Sequence, residues 1–141
     1  MPSAQEKDLN PNTYIGLSFP LRKDNRNDFT MTKTSLEQAK HNLRNLLMTY
    51  PGERVGQPEF GSTMRQLCFE PVDDNLPASI EEVVRKDVET WLPYINILEV
   101  NTLTGDQDQS KIYVEVKYST ILNPQTQQQI TLDAGYAAQR V

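Results

Sequence analysis

The stretch from Leu43 to Pro71 constrains the fold more than any other part of the chain. Between two short apolar runs it places six prolines and glycines, namely Pro51, Gly52, Gly56, Pro58, Gly61 and Pro71. Proline disfavours helical backbone at the residue before it, and glycine permits positive φ. The stretch therefore predicts a helix that ends at Tyr50, a turn-rich segment, and a short helix that ends before Pro71.

Three helices are predicted. The first begins at a capping box, in which the Thr34 hydroxyl accepts the Glu37 amide and the Glu37 carboxylate reaches back. Its apolar residues recur at helical spacing and are Leu36, Ala39, Leu43, Leu46, Leu47 and Tyr50. The short helix covers about Ser62 to Phe69. The second long helix has Asp74 or Asn75 as its cap and ends before Pro93, and its apolar residues are Ile80, Val83, Val84, Val88, Trp91 and Leu92.

Strands are predicted both before and after the helices in the sequence. Tyr14–Leu21 alternates at strand period, and Pro20 favours an edge position because it cannot donate to a ladder. Phe29–Thr32 is a second short strand. After Tyr94 the period becomes two, with a phase slip at Ile97-Leu98 that indicates a bulge. A half-buried strand around Ile112–Tyr118 and a short closing strand at Gln129–Leu132 complete a three-stranded meander.

These elements predict one α+β domain, in which the helices pack on a small antiparallel β-meander. We place it at residues 13–132, after a flexible N-terminal arm at 1–12 and before a C-terminal tail at 133–141. The 141 residues are enough for a core of their own.

Composition excludes several classes of function. The net charge of −5 argues against a binder of the nucleic-acid backbone, and Asp24 and Asp28 interrupt the basic residues Arg22, Lys23 and Arg26. No apolar run approaches the ~18 residues of a membrane span, and the N-terminus lacks a signal-peptide pattern. A single cysteine excludes an internal disulfide and a multi-cysteine metal cluster. We expect no cofactor, no metal, no small-molecule substrate, and synthesis in a cytoplasm.

The sequence offers only weak candidates for a catalytic site. A glycosidase needs two carboxylates flanking one sugar, and the best pair available is Glu70 with Asp73 or Asp74. Nothing near this acidic turn suggests an aromatic-lined sugar cleft. Cys68 lies on the apolar face of the short helix, where a buried inert thiol is expected, and His41 is expected at the surface of the first long helix. A non-enzymatic role is therefore favoured.

Three motifs inside the central stretch carry a family resemblance. They are Leu-Leu-Met-Thr-Tyr-Pro-Gly-Glu-Arg at Leu46–Arg54, Pro-Glu-Phe-Gly-Ser at Pro58–Ser62, and Phe-Glu-Pro at Phe69–Pro71. In this order and spacing they resemble the baseplate wedge and sheath-initiator family of contractile tails. That family includes the small wedge subunit of T-even phages, once described as a lysozyme, and its type VI secretion counterpart. The resemblance is densest over these motifs and looser from Ser35 to about Leu132.

The resemblance implies a structural role in the baseplate of a virion tail. Its members join the wedge core to the sheath and initiate sheath polymerisation, so other baseplate wedge proteins and the tail sheath protein are the expected partners. Two alternatives stay open at this point. One is a peptidoglycan-cleaving, lysozyme-like tail enzyme that uses Glu70, and the other is a generic small interaction module.

The resemblance also implies the residues that bind partners. In the family, a Glu-Pro-Arg segment at the end of the short helix meets neighbouring wedge subunits. Glu70 and Pro71 match it, whereas Val72 replaces the arginine and cannot make a bidentate guanidinium contact. Arg65 or a partner side chain is the alternative source of that contact. The expected partner-binding residues are Glu53, Arg54, Phe60, Arg65, Glu70 and Pro71; the alternative is that these charges only form a local salt bridge or helix cap.

A second expected surface is the edge of the sheet. By resemblance, the domain is similar to the inner domain of the sheath subunit, whose sheet accepts extended arms. Such β-strand addition uses main-chain hydrogen bonds for affinity and side-chain positions for register. The alternative is that the N-terminal arm of the chain itself covers this edge.

Overall fold

The computed structural model describes residues 3–70, 74–105 and 111–136. In these ranges the chain forms four helices and five strands, in the order α1 (Ala4–Leu9), β1 (Gly16–Leu17), β2 (Met31–Thr32), α2 (Ser35–Met48), α3 (Met64–Cys68), α4 (Leu76–Trp91), β3 (Ile95–Thr104), β4 (Lys111–Thr120) and β5 (Gln128–Tyr136). β1 and β2 pair as a separate antiparallel ribbon, and the other strands form a sheet in the order β3-β4-β5. The predicted α+β class and the meander are confirmed.

α2 begins where the sequence predicts. The Thr34 hydroxyl accepts a hydrogen bond from the Glu37 amide at 3.2 Å. The second half of the predicted capping box differs, because the Glu37 carboxylate accepts the amide of Lys33 instead of that of Thr34. Ala39, Leu43, Leu46 and Leu47 are fully buried, as their spacing predicts.

The core lies between the helices and one face of the three-stranded sheet. β4 contributes alternate buried residues from Ile112 to Tyr118, and α4 contributes Ile80, Val84 and Val88. The predicted bulge is confirmed, because the β3–β4 register shifts between Ile97 and Glu99. The opposite sheet face is polar and carries the Lys117–Glu99 ion pair.

The N-terminal segment differs from the predicted flexible arm. Ser3 and Glu6 form a complete capping box, and residues 4–9 form α1. Asp8 then accepts hydrogen bonds from both the amide and the hydroxyl of Ser35, each at 2.8 Å. The segment is thereby joined to the start of α2. It does not pair with the three-stranded sheet, so the alternative of an edge covered by this arm is wrong for the described residues.

The ends of two predicted strands also differ. β1 is only two residues long and stops well before Pro20, and the apolar side chains of Ile15, Leu17 and Leu21 stay substantially exposed. At the other end, β5 continues to Tyr136 and not only to Leu132. A register shift opposite Ile112 and Tyr113 lets β5 pass Ala134 as a bulge. The predicted tail at 133–141 therefore begins inside a strand, and residues 137–141 lie outside the described ranges.

Candidate functional site

The turn segment between α2 and α3 is closed by backbone hydrogen bonds across its base. The amide of Gly52 donates to the Pro58 carbonyl at 2.7 Å, and the amide of Ser62 donates to the Thr49 carbonyl at 2.8 Å. Gly61 makes this closure possible. It has φ of 137°, and a Cβ there would lie 2.6 Å from the Thr49 carbonyl oxygen. The segment is therefore a fixed loop rather than a flexible link.

Glu53 stabilises the start of this loop. Its carboxylate accepts a hydrogen bond from the Tyr50 amide at 3.1 Å, and its own amide donates to the Tyr50 carbonyl. This is the local capping role that the sequence left open for Glu53. Val55, at the outer end of the loop, is fully exposed.

Arg54, Phe60 and Trp91 form a stack that joins the loop to α4. The Arg54 guanidinium lies 4.1 Å from the centroid of the Phe60 ring. Phe60 is 9% exposed and meets Trp91 edge-on, with ring centroids 5.3 Å apart. A cation over an aromatic face is attracted by the ring quadrupole. Arg54 is therefore held by a ring and not by a salt bridge with a described carboxylate.

Arg65 is held in a similar way. Its guanidinium lies 5.1 Å from the centroid of the Tyr50 ring, and its Nε is buried without a hydrogen-bond acceptor among the described residues. Cys68 lies within electrostatic range of this charge and is fully buried. Burial raises the pKa of the Cys68 thiol to about 11, although Arg65 acts in the opposite direction. The expectation of a buried, unreactive thiol agrees with this position.

A buried polar contact joins α3 to α4 below the loop. The Ser62 hydroxyl accepts the Met64 amide at 3.1 Å and faces the Asp87 carboxylate on α4. Burial raises the pKa of Asp87, and the hydrogen bond from Ser62 and the charge of Lys86 offset part of the rise. One Asp87 oxygen, Oδ2, is buried without a partner among the described residues. The hydrogen bond between Ser62 and Asp87 thus joins the start of α3 to α4, although burial of the Asp87 carboxylate costs desolvation free energy.

Glu70 lies one residue beyond the cap of α3 and is exposed. Its amide donates to the Leu67 carbonyl, whereas no described residue hydrogen-bonds its carboxylate. Pro71, Val72 and Asp73 lie outside the described residues, so the proposed contacts of Pro71 and the Val72 replacement stay predictions. Asp74 is also exposed. The structure therefore places Glu53, Arg54 and Phe60 on the loop between α2 and α3, Arg65 on α3, and Glu70 just after the end of α3.

The glycosidase alternative gains no support from the clefts of the described surface. A cleft of about 250 Å³ is lined by apolar groups of Ile15, Tyr94 and Ile121, a second is lined by Tyr14, Asp24 and Phe29, and a third lies beside Arg85 and Ile97. Glu70 and Asp74 line none of these three. Across the described ranges, no three His, Cys, Asp or Glu side chains gather as a metal site. No described helix is long and apolar enough to cross a membrane.

Both outer strands of the sheet have partly open edges, and Arg85 occupies part of one. From α4, its Nη1 donates to the Ile97 carbonyl at 2.8 Å, and its Nη2 lies 3.4 Å from the Leu98 carbonyl. Glu81 holds the same guanidinium through contacts of 2.8 Å. Arg85 therefore binds the outward carbonyls of β3 at the bulge.

Comparison with solved structures defines the class of protein. A structure titled the baseplate of the anti-feeding prophage matches with a TM-score of 0.65 and 25% identity, over 74% of this chain and 82% of the other. A post-contraction baseplate of pyocin R2 matches with a TM-score of 0.55 and 21% identity, over 71% and 97%. A putative tail lysozyme from Geobacter sulfurreducens matches with a TM-score of 0.63 and 22% identity, over 74% and 93%. The last two likenesses show the fold alone. The fold is therefore that of a contractile-tail baseplate protein.

Sequence comparison identifies the family. The model of the family described as baseplate wedge protein gp25 matches residues 34–125. Baseplate wedge protein gp25 of Enterobacteria phage T4 is 31% identical over 97 residues, which are 69% of this chain and 73% of that protein. The chain belongs to the baseplate wedge protein gp25 family and is a structural component of a contractile-tail baseplate. This confirms the resemblance that the three motifs indicated.

Several residues of these surfaces were not predicted from the sequence. Trp91 packs against the core, as its place in the apolar stripe of α4 predicts, but its edge-on contact with Phe60 was not predicted. The contact between the Tyr50 ring and Arg65 was not predicted either. His41 was expected at the surface, yet its Nδ1 lies within hydrogen-bonding distance of both the amide and the carbonyl of Phe19. The Glu81-to-Arg85 spacing was a usable signal, because residues four apart on a helix face each other.

Proposed function

We propose that the protein joins the wedge core of the baseplate to the sheath and initiates sheath polymerisation. The observation that carries the proposal is the presence of two different surfaces on one chain. One is the loop surface of Glu53, Arg54, Phe60, Arg65 and Glu70, and the other is the edge of the three-stranded sheet. Membership of the baseplate wedge family supplies the context for both.

The loop surface is the proposed contact with other wedge proteins. Two guanidinium groups are held against aromatic rings without a carboxylate partner among the described residues. Because the rings already order Arg54 and Arg65, less side-chain entropy is lost when a partner binds. Glu70 adds an exposed carboxylate and Val55 a fully exposed apolar group to this part of the chain.

The sheet edge is the proposed contact with the sheath. A strand at the edge of a sheet carries main-chain groups that an incoming extended segment can pair with. The described N-terminal segment leaves this edge uncovered, since β1 and β2 form a ribbon of their own. When the sheet is already held in the baseplate, less entropy is lost as the first sheath ring assembles on it. The mechanism requires no catalytic turnover.

The loop surface is tested with Glu70→Ala and a matched control, Glu82→Ala, which removes an exposed glutamate from α4. Each protein is co-expressed with the wedge proteins encoded alongside it, and its stoichiometry in purified wedges is measured. We expect unchanged stability for both variants and at least a ~10-fold loss of incorporation for Glu70→Ala alone, or about 1.4 kcal/mol. Equal incorporation of the two folded variants would remove the proposed role of Glu70.

The sheath role is tested by polymerisation kinetics. Purified sheath protein is mixed with wedge assemblies made with or without this chain, and light scattering records the lag. We expect the lag to shorten only when the chain is present. An unchanged lag would contradict the initiator function, and clearing of purified cell wall by the chain would favour the lysozyme-like alternative.

A further inference from the structure

The ribbon of β1 and β2 lies against the first half of α2. Thr32 is fully buried, and its hydroxyl donates a hydrogen bond to the side-chain oxygen of Gln38. Gly16 pairs with Thr32, and a Cβ on Gly16 would overlap the same Gln38 side chain. The Phe19 amide lies 3.0 Å from Nδ1 of His41, also on α2. These contacts hold one face of the ribbon on the helix.

The opposite face of the ribbon is apolar and open. Successive residues of a strand point to opposite faces, so Leu17 and Met31, which pair directly, point away from α2. They are 39% and 42% exposed, and Phe29 is 53% exposed. Together with Tyr14 these side chains line a cleft of about 530 Å³. Single exposed apolar residues are common on protein surfaces, whereas a contiguous group of them indicates an interaction site.

Basic side chains surround these apolar groups. Arg26 and Lys33 line the same cleft, and Nζ of Lys33 lies 5.6 Å from the centroid of the Tyr14 ring. Residues 14–33 carry four basic and two acidic side chains and therefore a net charge of +2, whereas the whole chain has −5. Among the described residues, none of the four basic side chains forms an ion pair. The ribbon is thus a basic region of an acidic protein.

The turn from Asp24 to Asp28 leaves this positive charge available. Oδ1 of Asp24 accepts the amides of Arg26 at 2.8 Å and of Asp28 at 3.0 Å. The Asp24 amide donates to the Asp28 carbonyl at 2.8 Å, and Asn27 has φ of 67° inside the turn. Because the Asp24 carboxylate already accepts two backbone amides, it is less available to neutralise the guanidinium of Arg26. The turn therefore presents Arg26 to a partner.

We infer that the ribbon surface binds a segment of another baseplate protein in which apolar side chains stand next to carboxylates. The ribbon surface consists of Tyr14, Leu17, Arg26, Phe29, Met31 and Lys33. Apolar side chains of the partner fill the cleft, and its carboxylates pair with the two basic groups beside the cleft. A nucleic-acid backbone fits less well, because it has no apolar groups for the cleft and Asp28 would repel its phosphates.

This inference goes beyond the proposed link between wedge and sheath, because the ribbon surface includes neither the loop surface nor the edge of the three-stranded sheet. The ribbon precedes residues 34–125, so the family match assigns it no role. It contacts the first half of α2, whereas the loop begins after the last turn of the same helix. The helix has 14 residues and is about 20 Å long. Partners at the two ends can therefore bind at the same time.

Photo-cross-linking tests the chemistry of the partner. The photoreactive residue p-benzoylphenylalanine replaces Phe29 in the full chain, or Leu103 in a control, where a similarly exposed side chain lies on the polar face of the sheet. Each protein is co-expressed with the wedge proteins encoded alongside it, the wedges are irradiated, and mass spectrometry identifies the cross-linked peptide. We expect the Phe29 position alone to capture a peptide of another protein with apolar residues and an excess of Asp and Glu.

Three results of this experiment would overturn the inference. They are the absence of a cross-link from the Phe29 position, a cross-link to a second copy of this chain, and a cross-link to a peptide without an excess of acidic residues. The same peptide captured from both positions would also overturn it, because the capture would then not depend on the ribbon surface.

Charge reversal tests the basic groups. Arg26→Glu and Arg44→Glu change the net charge equally, and Arg44 is exposed on α2 but does not line the cleft. After thermal melting shows that both are folded, we expect Arg26→Glu alone to lower incorporation into wedges by roughly 10-fold. Arg26→Lys should retain incorporation, since it keeps the charge. Equal incorporation of the two Arg→Glu variants would overturn the inference. Loss with Glu70→Ala but not with Arg26→Glu would remove the ribbon contact and leave the proposed loop contact standing.

Nucleic acid and anionic membranes are the competing ligands for a basic, apolar surface. Binding of the full chain to a fluorescent DNA oligonucleotide and co-sedimentation with phosphatidylserine vesicles are measured at physiological ionic strength. We expect neither, because the ribbon carries only +2 and the whole chain −5. Binding of either probe that Arg26→Glu abolishes would overturn the assignment to a protein partner.

Discussion

The ring of Phe60 meets the indole of Trp91 edge-on, with centroids 5.3 Å apart and planes inclined at 70°. The two residues belong to the loop after α2 and to the last turn of α4, so this contact fixes the loop to the body of the domain. The Arg54 guanidinium lies 4.1 Å from the same ring centroid. Arg54, which we assign to partner binding, is thus held in place by the Phe60–Trp91 pair.

Phe60→Ala should destabilise the domain and disorder Arg54. Phe60 is nearly buried, and removing such a ring costs about 3–5 kcal/mol. Arg54→Ala should cost no more than about 1 kcal/mol, because its interaction with the ring is at the surface. Urea unfolding followed by Trp91 fluorescence measures both. Equal destabilisation by the two substitutions would show that the ring is not the support we describe.

Gly61→Ala should be strongly unfavourable, and Gly56→Ala nearly neutral. Gly61 has positive φ, and a Cβ would approach the Thr49 carbonyl at 2.6 Å and the Pro51 nitrogen at 2.8 Å. Gly56 has open space around it, so alanine there adds no clash. We expect a loss of more than about 1 kcal/mol for Gly61→Ala, since both strain and a backbone clash act. Thermal melting of the pair tests this, and similar melting temperatures would contradict the closed loop.

Asp87 should make stability depend on pH in a defined direction. Because burial raises its pKa in the folded state, the folded protein binds more protons than the unfolded chain above the ordinary aspartate range of about 4. The stabilising contribution of protonated Asp87 to the free energy of unfolding is therefore fully present below the pKa that Asp87 has in the unfolded chain. It is lost as pH rises through the pKa that Asp87 has in the folded protein. Asp87→Asn should remove this dependence.

The measurement is urea unfolding of both proteins from about pH 3.5, just below the ordinary aspartate pKa, to about pH 7, roughly 3 units above it. We expect the stability of Asp87→Asn relative to the unmodified chain to increase with pH across this range. Asp74→Asn, at an exposed position, is the control and should show no such trend. A relative stability that falls with pH would mean that the Asp87 carboxylate is stabilised in its ionised form.

Cys68 should react with thiol reagents only after unfolding. Its side chain is fully buried, and burial raises its pKa to about 11, so very little thiolate forms near pH 8. Labelling with an aromatic disulfide at pH 8 should be slow in the native protein and should accelerate with urea in step with unfolding. Rapid labelling of the native protein would contradict the packing of α3.

Local patterns predicted most of the fold, because helices and strands are specified by nearby residues. The Thr34 cap, the buried stripe from Ala39 to Leu47 and the bulge near Ile97 all follow from spacing within one element. α1 had the same kind of signal, since Ser3 and Glu6 have capping-box spacing, but the polar composition of the segment favoured an arm. β5 was predicted too short because Asp133 and Gly135 are poor strand residues, and a bulge accommodates them.

The surfaces were harder to predict, because they depend on residues far apart in sequence. The motifs identified Arg54 and Phe60, but no local pattern places Trp91 against Phe60 or Tyr50 below Arg65. The open edge likewise depends on the position of Arg85 relative to the β3 bulge, which only tertiary packing sets. Periodicity assigned each side chain to a face, whereas the three-dimensional fold determined its neighbour.

The most direct test of the account is electron microscopy of sheath assembled on wedges with and without this chain, with the chain located by a gold-labelled tag. The account predicts sheaths that grow from the baseplate end only when the chain is present, with the label at that end. Sheaths that form equally well without it, and from which the label is absent, would contradict the central claim that this protein connects the wedge to the sheath.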